Sequence, residues 1–347
     1  WERLVTAVDW ASLGIRCPHC LGAIDVSDPS QCQCAACSAT YAVHFGIPDL
    51  RTGNDPYLSR AEDLAAATVL AELAMQMDFP SLLSSYYATN SKVPPAQVAL
   101  FTRGTIAAGA RAESTLAAWT RQDARLNHVP PNDSATVMDI GCGTAPLAIA
   151  AARRGFRAIG VDVGLRWLVL ARKRALEAGV DIPLVCANVE ALPFRDGIAA
   201  RAGGESILEN AADPEQALHE LARVIRRGGR LWLTTPNKRS LGPDPHLGVV
   251  AGGWWPEAWL KRHALRTGKV FPRRTLFTGR ALRRSLESAD FTQITIALPD
   301  ISATQATAQS FVMQVAIAGY HVVKRLPLAG RLLQTVAPTY LVTATRA

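Results

Sequence analysis

No stretch of this 347-residue chain reaches the ~18–20 uninterrupted apolar residues that a bilayer-spanning helix needs. Nor does the chain open on a charged segment followed by an apolar core, so no secretory leader is expected. The expected location is the cytoplasm, with peripheral contact at the membrane left open. Cysteine is sparse, at seven residues, and four of these fall in two Cys-x-x-Cys pairs. That spacing argues for metal in a reducing compartment and against a disulfide framework. Acidic residues are outnumbered, 29 against 37 Lys and Arg, for a net charge of +8. The shortage is local: between Arg223 and Arg284 only Asp244 and Glu257 oppose a crowd of arginines and lysines. Such a stretch is either a solvated basic face or a docking surface for RNA, lipid headgroups or a phosphorylated substrate. A hydrophobic content of 49% with 19% charged residues excludes a disordered chain, and the length is enough for a full α/β core.

The chain is organised around Val137–Pro146, Val-Met-Asp-Ile-Gly-Cys-Gly-Thr-Ala-Pro. Val137, Met138 and Ile140 predict a buried strand, and Gly141 and Gly143 a sharp turn that a ligand can approach without a Cβ in the way. Pro146 suits the first turn of the helix that follows. About 20 residues beyond the glycines, a second apolar strand ends in Asp162, where a ribose-binding carboxylate belongs in nucleotide-binding βαβ units. Further on come a strand over 182–187 leading into Asn188-Val189-Glu190, a helix after Asp213-Pro214, a Gly228-Gly229 turn, and a strand over 230–235. The third glycine of the dinucleotide-binding fingerprint is absent, with Pro146 in its place, which counts against an NAD-linked dehydrogenase.

The ordered series Asp-x-Gly-x-Gly, Gly-Val-Asp, Asn-Val-Glu-x-Leu-Pro-Phe, Asp-Pro-x-x-Ala-Leu and Arg-Val-x-Arg-x-Gly-Gly resembles the class I S-adenosylmethionine-dependent methyltransferases. The resemblance covers about 131–300 and implies a Rossmann-like, doubly wound α/β fold with a seven-stranded sheet. It also implies roles. The Gly141-Cys142-Gly143 backbone would contact the methionine part of S-adenosylmethionine, with Asp139 steadying the turn. Asp162 would accept from both ribose hydroxyls, which requires an ionised carboxylate. Asn188 would sit at the adenine edge, its side-chain oxygen accepting from the exocyclic amine, and Val163 and Val189 would pack the purine faces. Glu205 would face the methionine part. One segment departs from the family: Ile198-Ala-Ala-Arg-Ala-Gly-Gly204 stands where the fourth strand belongs, lacks bulky β-formers, and predicts a weakened central strand. A non-catalytic, cofactor-binding scaffold is the alternative this raises.

Residues 1–54 form a separate unit. Cys17-Pro-His-Cys20 and Cys34-Ala-Ala-Cys37 can complete a closed tetrahedral structural Zn²⁺ site, with Cys32 as a possible substitute for Cys34. The following Tyr41-Ala-Val-His-Phe-Gly-Ile-Pro48 resembles the ending of the small zinc-ribbon protein that activates tRNA, rRNA and release-factor methyltransferases, here fused in cis. Residues 55–130 read as a helical cap, with helices over 61–77 and from Gln97 to about Arg125. Tyr86-Tyr87 is either pocket lining or helix-packing core, and 130–133 is a linker. Residues 301–347 predict a long apolar helix over about 303–323, a basic apolar segment and a last strand. In the loop 240–246, His246 is a candidate general base, or a residue capping local structure. The expected activity is methyl transfer to a small-molecule or lipid-linked acceptor, with rRNA or tRNA methylation as the alternative.

Overall fold

The computed structural model describes residues 10, 13–90, 93–125, 135–242, 244, 247–268, 271, 274–301 and 311–347. The N-terminal unit is a four-stranded antiparallel sheet of β1 (Ile24–Asp25), β2 (Gln31–Cys34), β3 (Thr40–His44) and β4 (Ile47–Pro48), in that spatial order. It is joined to the rest of the molecule at two places by backbone pairing. Arg16 N–H donates to Pro193 and Arg195 N–H to Gly14, while Leu50 N–H donates to Cys186 at 2.8 Å.

Three cap helices follow: α1 (Arg60–Leu73), α2 (Phe79–Thr89) and α3 (Val98–Arg125). Ser59 and Glu62 close a capping box on α1. The helix read over 61–77 stops at Leu73, and Pro80, read as its end, instead opens α2. Asp78 caps α2 by accepting from the Ser81 N–H, and a proline in the first turn costs no hydrogen bond. Tyr86 is buried in the core, with its ring 5.0 Å from Trp167.

The main sheet has seven strands. In chain order they are β5 (Thr136–Ile140), β6 (Arg157–Asp162), β7 (Leu184–Cys186), β8 (Ala199–Glu205), β9 (Ile225–Pro236), β10 (Phe291–Ala297) and β11 (Thr339–Arg346). Their spatial order is β10-β11-β9-β8-β5-β6-β7. Strands β5 to β9 pair in parallel, and β11 runs antiparallel to both neighbours. Strand order reverses beside β5, so ligands are expected at its carboxyl end. Helices α4 (Pro146–Arg153) and α5 (Leu165–Glu177) join the cap on one face. Helices α6 (Pro214–Val224) and α8 (Gly279–Ser288), with the N-terminal unit, cover the other; α7 (Glu257–Arg266) lies outside both cores.

The expected weakening of the fourth strand is not what the structure shows. β8 pairs with both β5 and β9 and is buried from Ala199 to Gly204. Its small residues make room for large neighbours. A Cβ on Gly203 would lie 2.7 Å from Leu147 and 2.9 Å from Trp119, and one on Gly204 would lie 2.7 Å from the Ile140 carbonyl. Bulk that β-propensity places on the strand is supplied here by α3 and α4. At the C-terminus the apolar segment divides into α9 (Phe311–Arg325) and α10 (Pro327–Val336), broken where Pro327 starts a new helix. The start of the helix read over 303–323, and the linker 130–133, lie outside the described residues.

Candidate functional site

At the carboxyl end of β5 the chain enters left-handed backbone, with φ of +61° at Gly141, +51° at Gly143 and 52° at Ala145. A side chain at Gly141 would strike Ile207, whereas one at Gly143 would meet nothing within 4 Å. The turn therefore presents bare backbone to open space. Cys142 turns inward: it is buried, and a Cβ on Gly160 would come 3.2 Å from its sulfur. Helix α4 has no side-chain cap of its own. Asp139, buried beneath it, accepts from the N–H groups of Leu147 (3.1 Å) and Ala148 (3.0 Å). Burial pushes the Asp139 carboxyl up to about 8, against the pull of those two amides.

Asp162 ends β6 and ties two loops together. Its Oδ2 accepts from Gly143 N–H and its Oδ1 from Gly164 N–H, both at 2.8 Å. Burial raises it to about 6. Each oxygen keeps a lone pair beyond the amide it serves. Asn188 follows β7, and its Oδ1 accepts from Thr52 N–H (3.0 Å) and Gly53 N–H (2.9 Å). Both lone pairs of the oxygen expected at the adenine edge thus hold the segment leaving the N-terminal unit.

That segment is a lid, and sequence reasoning missed it. Arg51 donates to Asp49, to Asp63 Oδ2 (2.8 Å) and to the Val163 carbonyl (3.0 Å). Asp63, fully buried, also accepts from Leu165 N–H and from Arg166 Nη1. Arg166 donates further to Asp55 (2.8 Å) and to the Tyr86 hydroxyl (3.0 Å). Beyond this network, Tyr57 reaches across to donate to Asn210 Oδ1 at 2.9 Å. These partners lie 103 to 153 positions apart in the chain for the Asp63–Arg166 and Tyr57–Asn210 contacts, so no local pattern announces them. Glu209 was also missed. It is buried beside Thr235 behind the loop after β8, and burial raises it to about 7.

Two cavities meet at the turn. The first, about 420 Å³, is lined by Gly141, Gly143, Asp162, Val163, Asn188, Val189 and Glu205, and is roofed by residues 54–57. Asp139 and Cys142 do not line it. They line the second cavity, about 520 Å³, which opens under α3 between Leu100, Phe101, Ala108, Arg111 and Trp232. Gly141, Gly143, Trp167, Glu205 and Ser206 belong to both. Both volumes fall within the roughly 300–1,000 Å³ usual for small-molecule sites. His246 lies outside the described residues.

In the N-terminal unit the sulfurs of Cys17, Cys20, Cys34 and Cys37 all lie within 4.8 Å of one another. Two of the separations are 3.7 Å (Cys17–Cys37) and 3.5 Å (Cys20–Cys34). Cys32 is not among them; it is buried in the core opposite Tyr41. The Tyr41 hydroxyl lies 3.0 Å from the Cys17 sulfur, and the Cys37 backbone N–H, stabilising the thiolate, holds the Cys34 thiol down to about 6.

Comparison with known proteins places this geometry. Residues 138–233 match the family model described as a methyltransferase domain. The chain is similar to the ubiquinone biosynthesis O-methyltransferase of Erwinia tasmaniensis, 35% identical over 107 residues, 30% of this chain and 43% of that one. It is 34% identical over 118 residues to the protein of the same name from Aeromonas salmonicida, 33% of this chain and 48% of that one. The chain thus spans under half the length of these curated relatives. Among solved structures, geranyl diphosphate C-methyltransferase from Streptomyces coelicolor aligns with 17% identity and a TM-score of 0.44, over 67% of this chain and 76% of that one. The turn, the strand order and the matched segment together make this a methyltransferase-type Rossmann-like α/β fold, with a small antiparallel sheet and a cysteine cluster before it.

Proposed function

We propose that the chain transfers the methyl group of S-adenosylmethionine to an oxygen of an apolar small molecule. The observation that carries this reading is the meeting of two cavities at one glycine turn. One is polar at its far end, with Asp162 and Asn188; the other is largely apolar and lies under α3. The name of the curated relatives supports an oxygen acceptor, and Leu100, Phe101, Ala108 and Trp232 support an apolar one.

The residues fit the cofactor. Open space over Gly143 lets a ligand approach its backbone, Asp162 keeps a lone pair on each oxygen, and Val163 and Val189 offer apolar faces. With its oxygen engaged by Thr52 and Gly53, Asn188 would present its amide nitrogen as a donor to an adenine ring nitrogen. S-adenosylmethionine supplies an electrophilic methyl group, and transfer is an in-line displacement that needs chiefly alignment. The second cavity would hold the acceptor so that its oxygen meets the methyl beside Gly141 and Glu205. Transfer would form a C–O bond as the donor's C–S bond breaks, giving S-adenosylhomocysteine, and the acceptor's proton would pass to a base. Glu205, exposed at the junction of the cavities, would be in reach of that proton; His246 is the other candidate.

The cysteines fit a structural zinc. A tetrahedral site with Zn–S bonds of about 2.3 Å separates its sulfurs by about 3.8 Å, close to the 3.7 and 3.5 Å of the Cys17–Cys37 and Cys20–Cys34 pairs. Four thiolates would leave no open coordination position, so the metal would fix the ribbon and take no part in transfer.

Calorimetric titration with S-adenosylmethionine tests the reading. Wild-type protein should bind with micromolar affinity, Asp162→Ala should abolish binding, and Asp162→Asn, which preserves an acceptor, should weaken it. Absence of binding by folded, zinc-loaded wild-type protein would overturn the reading, whereas binding without transfer to any acceptor would leave the cofactor-binding scaffold in its place.

A further inference from the structure

We infer that α9 and α10, together with the Trp254–Trp259 segment, form a docking face for an anionic phospholipid surface. Helix α10 has no buried residue although it is rich in leucine; Leu328 is 82% and Leu332 68% exposed. Across the turn, Leu326 is 50% exposed, and on α9 Phe311 and Val322 also face outward. A second exposed group lies nearby in the chain's path: Trp254, Trp255 and Trp259, with Trp255 and Trp259 stacked at 4.6 Å. The two groups are fastened to each other. Asn237 donates to the carbonyls of Thr335 and Ala337, Leu241 N–H donates to Val336, and a side chain at Gly253 would collide with the Lys238 carbonyl. The tryptophans and the end of α10 are therefore held to one short segment.

Charge chooses the occupant. From Ile301 to Ala347 the chain has no Asp or Glu, and between Pro245 and Leu286 it has only Glu257, which pairs with Lys261 at 2.6 Å. Arg325, Arg331, Arg262 and Arg266 are exposed around the apolar residues. A second copy of the chain meeting this face would oppose these cations with their own kind, its acids there, Glu257 and Asp300, being already paired with Lys261 and Lys324. A bilayer offers what the face lacks: hydrocarbon for the leucines, a polar boundary where tryptophan settles, and phosphates for the arginines. No described helix is long and apolar enough to cross a membrane, so the helices would lie along the surface. This inference stands apart from methyl transfer, since lipid binding can be read with neither donor nor acceptor present.

Flotation of the whole chain with vesicles tests it, using phosphatidylcholine alone and phosphatidylcholine mixed with phosphatidylglycerol. The protein should rise with the anionic vesicles and much less with neutral ones, and added salt should weaken the association. Leu328→Asp with Leu332→Asp should lower the partition by about tenfold or more, and Trp254→Ser with Trp255→Ser should do likewise. Neither pair removes a core residue, so both variants should melt as the wild type does. Brominated lipid should quench wild-type tryptophan emission more than that of the Trp254, Trp255 variant. Failure of folded wild-type protein to float with anionic vesicles would overturn the inference. So would a stable dimer dissolved by the Leu328, Leu332 changes, or tight RNA binding in a protein whose vesicle binding ignores them.

Discussion

Arg166 Nη1 lies 2.7 Å from Asp63 Oδ1, in a pair whose side chains are 4% and 0% exposed. Asp63 belongs to the cap and Arg166 to the first turn of α5, so the contact fixes the lid against the catalytic sheet. The same carboxylate holds Arg51. Removing it leaves two buried guanidinium groups with one carboxylate each, Asp49 for Arg51 and Asp55 for Arg166, so Asp63→Ala should cost about 3 kcal/mol in chemical denaturation, the low end for breaking a buried pair. Asp63→Asn, which keeps the shape and loses the charge, should fall between.

The cofactor cavity should titrate. Asp162 is raised to about 6, and only its ionised form can accept from two hydroxyls while holding Gly143 and Gly164. Affinity for S-adenosylmethionine should therefore drop roughly tenfold between pH 7.5 and pH 5. Stability of the free protein should move the other way. The folded-state values of Asp162 and Asp139 exceed those of unfolded carboxylates near ~4, so the folded protein holds protons that the unfolded chain has released. That contribution is fullest below ~4 and is lost as pH climbs through about 6 and about 8. Melting curves from pH 5 to 8 should show it, and Asp139→Asn should flatten the slope.

Packing of β8 against Trp119 makes a paired prediction. Gly203→Val fills space already taken by Leu147 and Trp119 and should cost about 1–3 kcal/mol. Trp119→Ala empties the same space and should cost about 3–5 kcal/mol. Combined, the two changes should cost less than their sum, and a strictly additive pair of denaturation midpoints would dismiss the fit.

Metal analysis separates the cysteines. Protein purified without chelator should carry about one zinc per chain. Cys34→Ser should lose it and melt at a lower temperature, whereas Cys32→Ala, a change in the core away from the sulfur cluster, should keep it. Retention by Cys34→Ser with loss by Cys32→Ala would reverse the ligand assignment.

The strand–glycine–helix turn, Asp162 and the two Cys-x-x-Cys pairs are legible because each is a local pattern whose chemistry is complete within a few residues. The β8 strand is not, since Ala199–Gly204 lacks intrinsic preference and is specified by Trp119 and Leu147 from elsewhere. Pro80 misleads because a proline both ends and begins helices, and only the Asp78 cap decides which. The lid is invisible for a different reason: Arg51, Asp55, Asp63 and Arg166 are ordinary charged residues until the fold brings them together. Asn188 shows the limit of carrying a role over by motif, because its neighbours at 52 and 53 come from a part of the chain outside the matched domain.

The bonds from Thr52 and Gly53 to Asn188 span 136 and 135 positions. During synthesis the cysteine cluster emerges complete long before Asn188 exists, at ~5–20 residues per second. The four cysteines can gather early, while the lid that follows them must wait for β7. Closure of the methyl-donor pocket is thus a late event in the life of each new chain, made of long-range contacts and slow for that reason.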